Sequence, residues 1–422
     1  MTEVDPWLPG LTPAAGPAGS ADGAGASDDD AAGEDGAADT DRIAIDWAGE
    51  RLSFAELASA IERVDVRGPI DITTLALPDQ LVGVFAAAAA RVPVLIGDPT
   101  NPLPPLTSWK HALPADVFLV VATSGSTGSP RAVLRTLASW TSSFEGYTAL
   151  AGLSGASRLL LTGPLSSTLQ LFAAVHACWL GAAIIDDPTT ATAAICVPAV
   201  LPRLLATPRP PLLKQVVVAG DRLPDSVARQ ALSAGLMVSE YYGAAELSFV
   251  AARSWPDRWQ PFPGVELRVR GGELWSRSAY RALGYLGSDG ALRTDADGFA
   301  TVGDLGTIDA AGDLQILGRG DTAVTVGGRT VAVEDVEAAL AGIPGVLEAA
   351  ALGEPHRKLG QQLVAVVVLS ATAELASVRS TARTLLRGEA LPRRWRQAAT
   401  LPRTPAGKMD RVALRSLYGS VG

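Results

Sequence analysis

The chain has very little cysteine and histidine. Its two cysteines, Cys178 and Cys196, stand in apolar contexts. Two cysteines cannot form a disulfide framework, so both are expected to be buried thiols in a reducing compartment. The three histidines, His111, His176 and His356, fall in no triad and no metal spacing. No Cys–His pair is available for covalent catalysis. His176 reads as a helix residue and the other two as surface residues. Positive charge is missing from the front of the chain, where no Lys or Arg precedes Arg42 although acids are frequent. Residues 1–41 are Ala, Gly and Asp with hardly any bulky apolar side chains. Such a segment cannot bury enough surface to offset its ordering entropy, and is expected to be a disordered, solvated extension. It also lacks the basic start and apolar segment of a secretory signal. The net charge of −9 argues against nonspecific nucleic-acid binding. No apolar run reads as a membrane span: the longest, residues 81–97, carries Arg91 and Pro93 and fits a core helix followed by a strand. A cytoplasmic protein is the expectation.

A large core is affordable, since 48% of the 422 residues are apolar, and the length fits two or three domains. The most informative stretch is Val117-Phe-Leu-Val-Val-Ala-Thr-Ser-Gly-Ser-Thr-Gly-Ser-Pro-Arg131. It opens as an apolar, β-branched run of the kind found in buried strands. It then becomes a loop of Thr123, Ser124, Gly125, Ser126, Thr127, Gly128 and Ser129. Hydroxyls donate hydrogen bonds, and glycines let neighbouring N–H groups approach one ligand together, so a polyphosphate is the natural partner. Arg131 adds a fixed positive charge. The loop is not that of P-loop enzymes, because no Lys follows Gly128.

Elsewhere the pattern is strand and helix in alternation. Ser53 and Glu56 form a capping box at the start of a helix carrying Phe54, Leu57, Ala58 and Ile61 on one face. A helix is expected over 137–150. Strands are expected at 158–161, 183–185, 194–197, 215–218 and 237–240, with helices at 167–181, 200–205 and 226–234. That alternation predicts parallel sheet with helices on its faces, and ligands at the carboxyl ends of the strands. From residue 267 short strands and Gly turns predict an antiparallel β subdomain. The last hundred residues predict a small α+β domain.

The order Thr-Ser-Gly-Ser-Thr-Gly-x-Pro-basic resembles the phosphate loop of the adenylate-forming superfamily, which includes acyl-CoA synthetases, peptide-synthetase adenylation domains and luciferases. Four further stretches resemble that superfamily's motifs, in its order: Tyr242-Gly243-Ala244-Ala245-Glu246, Val302-Gly303-Asp304, the run from Gly318 to Glu337, and Leu401-Pro-Arg-Thr-Pro-Ala-Gly-Lys408-Met-Asp-Arg411. The resemblance covers residue 42 to the end and is nearest to short bacterial acyl-CoA synthetases. It implies an α/β fold with a large N-terminal domain over 42–319, shortened at its front, and a small mobile domain over 320–422 after a hinge at Asp321. It implies that Tyr242 and Gly243 meet the adenine, that Glu246 holds Mg²⁺, and that Asp304 accepts from the ribose hydroxyls. It further implies that Arg319 contacts ribose or phosphate, that Gly327 and Gly328 line a thiol tunnel, and that Lys408 bridges the substrate carboxylate and the α-phosphate. Lys408, Glu246 and Arg131 are the expected catalytic groups.

The implied reaction joins a carboxylic acid, fatty or aromatic, to AMP and then to CoA, using ATP and Mg²⁺. The acid pocket is expected from residues near 165–172, 218–221 and 241–244. Two alternatives stand beside it: loading of a separate acyl carrier protein, and a catalytically degenerate member that binds nucleotide or acyl group. No carrier domain is expected in the chain itself, which ends soon after Lys408. Three positions depart from the family pattern. Arg131 replaces a Lys, Ala245 replaces a Thr, and Ser166-Ser167-Thr168 stand where an aromatic or His is common.

Overall fold

The computed structural model describes residues 41–103, 113–123, 131–206, 208–287, 292–309, 312–319, 323–327, 329–404, 407 and 409–419. The acidic segment read as disordered lies outside these residues.

The chain's first strands, Ile43–Trp47 and Glu50–Ser53, form a hairpin. Its two turn residues, Ala48 and Gly49, both have positive φ, the geometry that matches the twist of paired strands. Ser53 then caps the helix Phe54–Arg63, accepting from the Glu56 N–H at 3.2 Å while the Glu56 carboxylate accepts from the Ser53 N–H at 2.8 Å. Phe54, Leu57 and Ile61 bury the apolar face of that helix.

Among the described residues the hairpin is the edge of a nine-stranded sheet. Its centre is parallel: Ala183–Ile185, Arg158–Leu161, Ala193–Cys196, Gln215–Ala219 and Met237–Ala244. The helices Thr168–Leu180 and Asp225–Ser233 connect these strands, as the alternation predicts. Both cysteines are buried and unpaired, and burial pushes each thiol up to about 12.

One strand was not expected, and two expectations need correction. Arg131–Thr136 is a strand, antiparallel to Val117–Thr123, so the Ser/Thr/Gly loop joins two paired strands. The four interior residues of that strand are all buried, which removes the alternation that would mark a half-exposed strand. Met237–Ala244 runs four residues further than expected and takes in Tyr242 and Gly243, because Ser248–Ser254 folds back to pair with it. The single helix over 137–150 is two, Leu137–Thr141 and Phe144–Ala151. At the break, Ser142 Oγ donates to the Ala138 carbonyl at 2.6 Å and Ser143 Oγ to that of Trp140 at 3.1 Å, a local competition typical of serine.

Val117–Thr123 and Arg131–Thr136 belong to a five-stranded sheet. A six-stranded sheet follows, built from short antiparallel strands including Asp304–Ile308 and Leu314–Arg319. This is the β subdomain read from the Gly-rich texture. The small C-terminal domain holds a five-stranded sheet centred on Gly360–Leu369, with the helices Val333–Ala341, Leu375–Leu385 and Arg411–Tyr418. No described helix is long and apolar enough to cross a membrane.

His176 sits on the helix Thr168–Leu180 and is fully buried, with Nε2 2.7 Å from Thr148 Oγ1. His356 is half-buried and caps a turn, its Nδ1 accepting from the Leu359 N–H at 3.2 Å. His111 lies outside the described residues. Burial holds the His176 imidazole down at about 4, against an ordinary value near 6.5. Between those values the unfolded chain binds a proton that the folded chain refuses, so stability falls as pH drops from about 6.5 towards 4. The full effect is roughly 3 kcal/mol. His176→Leu is expected to flatten this part of the stability–pH curve in chemical denaturation. An unchanged slope would contradict the assignment.

Candidate active site

One cavity of about 760 Å³ opens at the carboxyl ends of the parallel strands, between the nine-stranded sheet, the six-stranded sheet and the small domain. Tyr242, Gly243 and Glu246 line it from the Met237–Ala244 strand and the turn that follows, and Asp304 lines it from the start of Asp304–Ile308. The Tyr242 hydroxyl donates to Asp304 Oδ2. Two motifs 62 residues apart are thereby joined directly. Gly243 has no room for a side chain: a Cβ there would lie 1.8 Å from the Ser248 carbonyl oxygen. The close pairing of the two strands requires glycine at this position.

Glu246 is 6% exposed, and Tyr285 donates to its Oε1 at 2.6 Å. Burial pushes the Tyr285 phenol upward, and the Glu246 charge adds to the shift, so the hydroxyl keeps its proton. Arg131 lies over the same ring, its guanidinium carbon 5.9 Å from the centroid. Arg131 is therefore one ring away from Glu246 rather than on the cavity wall. Tyr285 falls in none of the sequence motifs, and its pairing with Val133 is a long-range contact that sequence spacing does not show.

Arg135 is the other residue missed. It is fully buried. Its guanidinium donates to the Ala245 carbonyl at 2.8 Å, the Ser139 carbonyl at 2.7 Å, Ser248 Oγ at 2.6 Å and the Tyr280 carbonyl at 2.5 Å. The loop that carries Glu246 is thus pinned from below. Burial pulls this guanidinium down to about 9, with Glu246 acting in the opposite sense, and it stays charged at neutral pH.

A second pinned turn forms the wall at Gly220, Asp221 and Arg222. Buried Glu240 accepts from the Leu223 N–H at 3.1 Å, from Arg253 at 2.7 Å and from Trp255 Nε1 at 2.9 Å. Across the cavity the small domain contributes Glu334, Asp335 and Thr404, and Asp335 pairs with Arg222.

The remaining expected residues divide as follows. The Thr123 backbone ends its strand beside Ala122, which lines the cavity. Arg319 ends the Leu314–Arg319 strand, with its backbone in register with Asp304. Gly327, at positive φ, sits in a small-domain turn and donates its N–H to the Leu359 carbonyl at 2.9 Å, away from the cavity wall. Ser124, Gly125, Ser126, Thr127, Gly128, Asp321, Gly328 and Lys408 lie outside the described residues. The neighbours of Lys408 are described. Thr404 lines the cavity, and a Cβ on Gly407 would stand 3.5 Å from Val197 Cγ2 of the large domain.

Of the expected acid pocket, Ser166, Ser167 and Thr168 line the cavity, with Gly220, Asp221 and Tyr241 to Ala244. Leu165, Leu169, Phe172 and Val218 do not. They are at most 6% exposed and belong to the core.

A two-domain α/β protein with polar side chains lining a strand-end crevice has the architecture of ligand-binding α/β enzymes. Residues 87–286 match the model of the AMP-binding enzyme family, and residues 335–408 match that of the AMP-binding enzyme C-terminal domain. A probable 2-succinylbenzoate–CoA ligase of Mycobacterium tuberculosis is 31% identical over 326 residues, 71% of this chain and 84% of that protein. An uncharacterized acyl–CoA ligase of Bacillus subtilis, YhfT, is 28% identical over 379 residues, 81% of this chain and 74% of that one. Among solved structures, ATP-bound MatB from Rhodopseudomonas palustris superposes with a TM-score of 0.74 at 23% identity, covering 90% of this chain and 96% of that one. The o-succinylbenzoate CoA synthetase MenE of Bacillus subtilis, with its acyl-adenylate, gives 0.75 at 19% identity, covering 89% and 95%. The chain belongs to the AMP-binding enzymes of the adenylate-forming superfamily.

Arg135→Met would leave three backbone carbonyls and a hydroxyl in the interior without their donor. The expected cost is about 3–5 kcal/mol in denaturant unfolding. Arg135→Lys should recover only part of it, since an ammonium cannot reproduce the planar fork. Wild-type stability for Arg135→Met would show that the guanidinium does not hold this loop.

Proposed function

We propose that this protein, an AMP-forming acyl-CoA synthetase by family, activates a carboxylic acid as acyl-AMP and transfers the acyl group to the thiol of CoA. The acid reads from the sequence as fatty or aromatic. The observation that carries the proposal is the convergence of Tyr242, Glu246, Asp304 and Thr404 on one cavity, from three motifs spread over more than a hundred and sixty residues.

The chemistry assigns roles. Two anions, a carboxylate and a triphosphate, must approach each other, so positive charge has to lie between them. Lys408, four residues beyond Thr404 on the cavity wall, supplies a mobile ammonium there, and Arg131 adds a fixed charge. The amides and hydroxyls of Thr123 to Gly128 hold the phosphates. Tyr242 packs on adenine with Gly243 beneath, and Asp304, oriented by the Tyr242 hydroxyl, accepts from the ribose. Arg319 reaches ribose or phosphate.

The described residues hold no cluster of three metal-binding side chains. A single buried carboxylate at Glu246 fits Mg²⁺, which keeps most of its ligands as phosphate oxygens and water. Bound there, the ion would neutralise charge on the leaving pyrophosphate. In the second step the small domain turns about Asp321, withdrawing Lys408 and presenting Gly327 and Gly328 to the thiol. The thiolate attacks the acyl carbon and AMP leaves, with no enzyme nucleophile required.

Lys408→Ala is expected to lower acid-dependent pyrophosphate release by about 10²–10³. Thioester formation from added acyl-AMP and CoA should fall far less, because that step does not use the ammonium. Glu246→Gln should weaken the Mg²⁺ dependence of the first step. Wild-type pyrophosphate release from Lys408→Ala would sink the assignment. Trapped acyl-AMP with no thioester would redirect the acceptor from CoA to a carrier protein.

A further inference from the structure

Resting on the proposed ligase reaction, we infer that the acid is compact and polar rather than a long alkyl chain. The cavity has to hold the nucleotide as well as the acid. In that reaction Tyr242 and Asp304 take the nucleoside, and Glu246 with the loop after Ala122 takes the phosphates. Of the expected acid pocket, the residues that line the cavity beyond the nucleotide's share are Ser166, Ser167 and Thr168, with Gly220, Asp221 and Tyr241. Three consecutive hydroxyl-bearing residues stand among them.

Behind this wall there is no room for a chain to continue. The helix Thr168–Leu180 turns Leu169 and Phe172 away from the cavity, and both are nearly inaccessible. Phe172 packs at 4.8 Å from Phe249, 5.1 Å from Tyr147, 5.3 Å from Trp140 and 5.5 Å from Phe144. Tyr241, the ring at the cavity's edge, closes the gap: it lies 4.6 Å from Phe249 and 6.2 Å from Tyr147. The five rings behind it are at most 4% exposed. An alkyl tail reaching this wall would meet hydroxyls first and then a close-packed aromatic layer. Advancing further would mean displacing rings from a full core, where added volume is not tolerated without strain. An acid ending in a hydroxyl, carbonyl or second carboxylate would instead be met by donors and acceptors of its own kind.

The test uses the full chain and non-reacting acyl-AMP mimics, measured by titration calorimetry. The probes are the succinyl, 2-carboxybenzoyl and dodecanoyl sulfamoyl adenosines, with AMP as reference. At least one of the two compact polar mimics is expected to bind tenfold or more tighter than the dodecanoyl mimic. Phe172→Ala, which opens the layer, should improve dodecanoyl binding tenfold. Should that variant fail to fold, Ser167→Val on the cavity wall should weaken the compact polar mimics selectively. A dodecanoyl mimic that binds wild type as tightly as both polar ones overturns the inference and leaves the ligase reading standing. If no mimic binds tighter than AMP, the ligase reading itself fails, and this inference with it.

Discussion

A guanidinium with no water around it must find every hydrogen-bond partner in the protein. Arg135 finds one close by, at Ser139, and the others on elements distant in the chain: Ala245 and Ser248 from the turn of the nine-stranded sheet, and Tyr280 just ahead of the strand Gly284–Tyr285. An ion this deep is costly to bury, and only a complete set of acceptors offsets the cost. The reward is positional. The turn bearing Glu246 is fixed against the sheet that carries Arg131 and leads into the Ser/Thr/Gly loop. Tyr285 bridges the same two elements through its hydroxyl and its ring. Glu246 and Arg131, both proposed to act on one polyphosphate, are thus held by a buried frame.

The small domain is built to a complementary rule. Glu337, in the motif after the hinge, accepts both guanidinium nitrogens of Arg411 at 2.5 and 2.8 Å, and Arg411 closes the lysine motif. Burial alone would pull the Arg411 guanidinium down, but the Glu337 carboxylate outweighs it and holds the group more firmly charged than usual. Two ends of the domain's sequence are therefore fastened together. The small domain's contacts with the large domain, by contrast, include an exposed pair between Arg222 and Asp335. Exposed pairs of this kind contribute little, which suits the domain movement proposed above.

Much of this was legible in the sequence, for identifiable reasons. The capping box at Ser53 is a local signal and was read correctly. The alternation of strands and helices gave the parallel sheet, and the ordered motifs gave the family. Tyr242, Gly243, Glu246 and Asp304 were singled out and do meet. Long-range events were not legible. The strand Arg131–Thr136 is buried on both faces and carries a buried Arg, so neither alternation nor hydropathy marks it. Arg135 and Tyr285 earn their roles from partners more than thirty residues away. The acid pocket was expected to include Leu169, Phe172 and Val218, because apolar residues there resemble a lining. In the fold they form the core behind it.

The account stands on one geometric claim: a nucleotide is held between Tyr242, Asp304 and Glu246, with the segment around Lys408 closing over it. A crystal structure with ATP and Mg²⁺ tests this most directly. Density is predicted for adenine against the Tyr242 ring, ribose hydroxyls on Asp304, the metal on Glu246 and the Lys408 ammonium at the α-phosphate. A nucleotide bound elsewhere, or bound here with Glu246 touching neither metal nor phosphate, would contradict it.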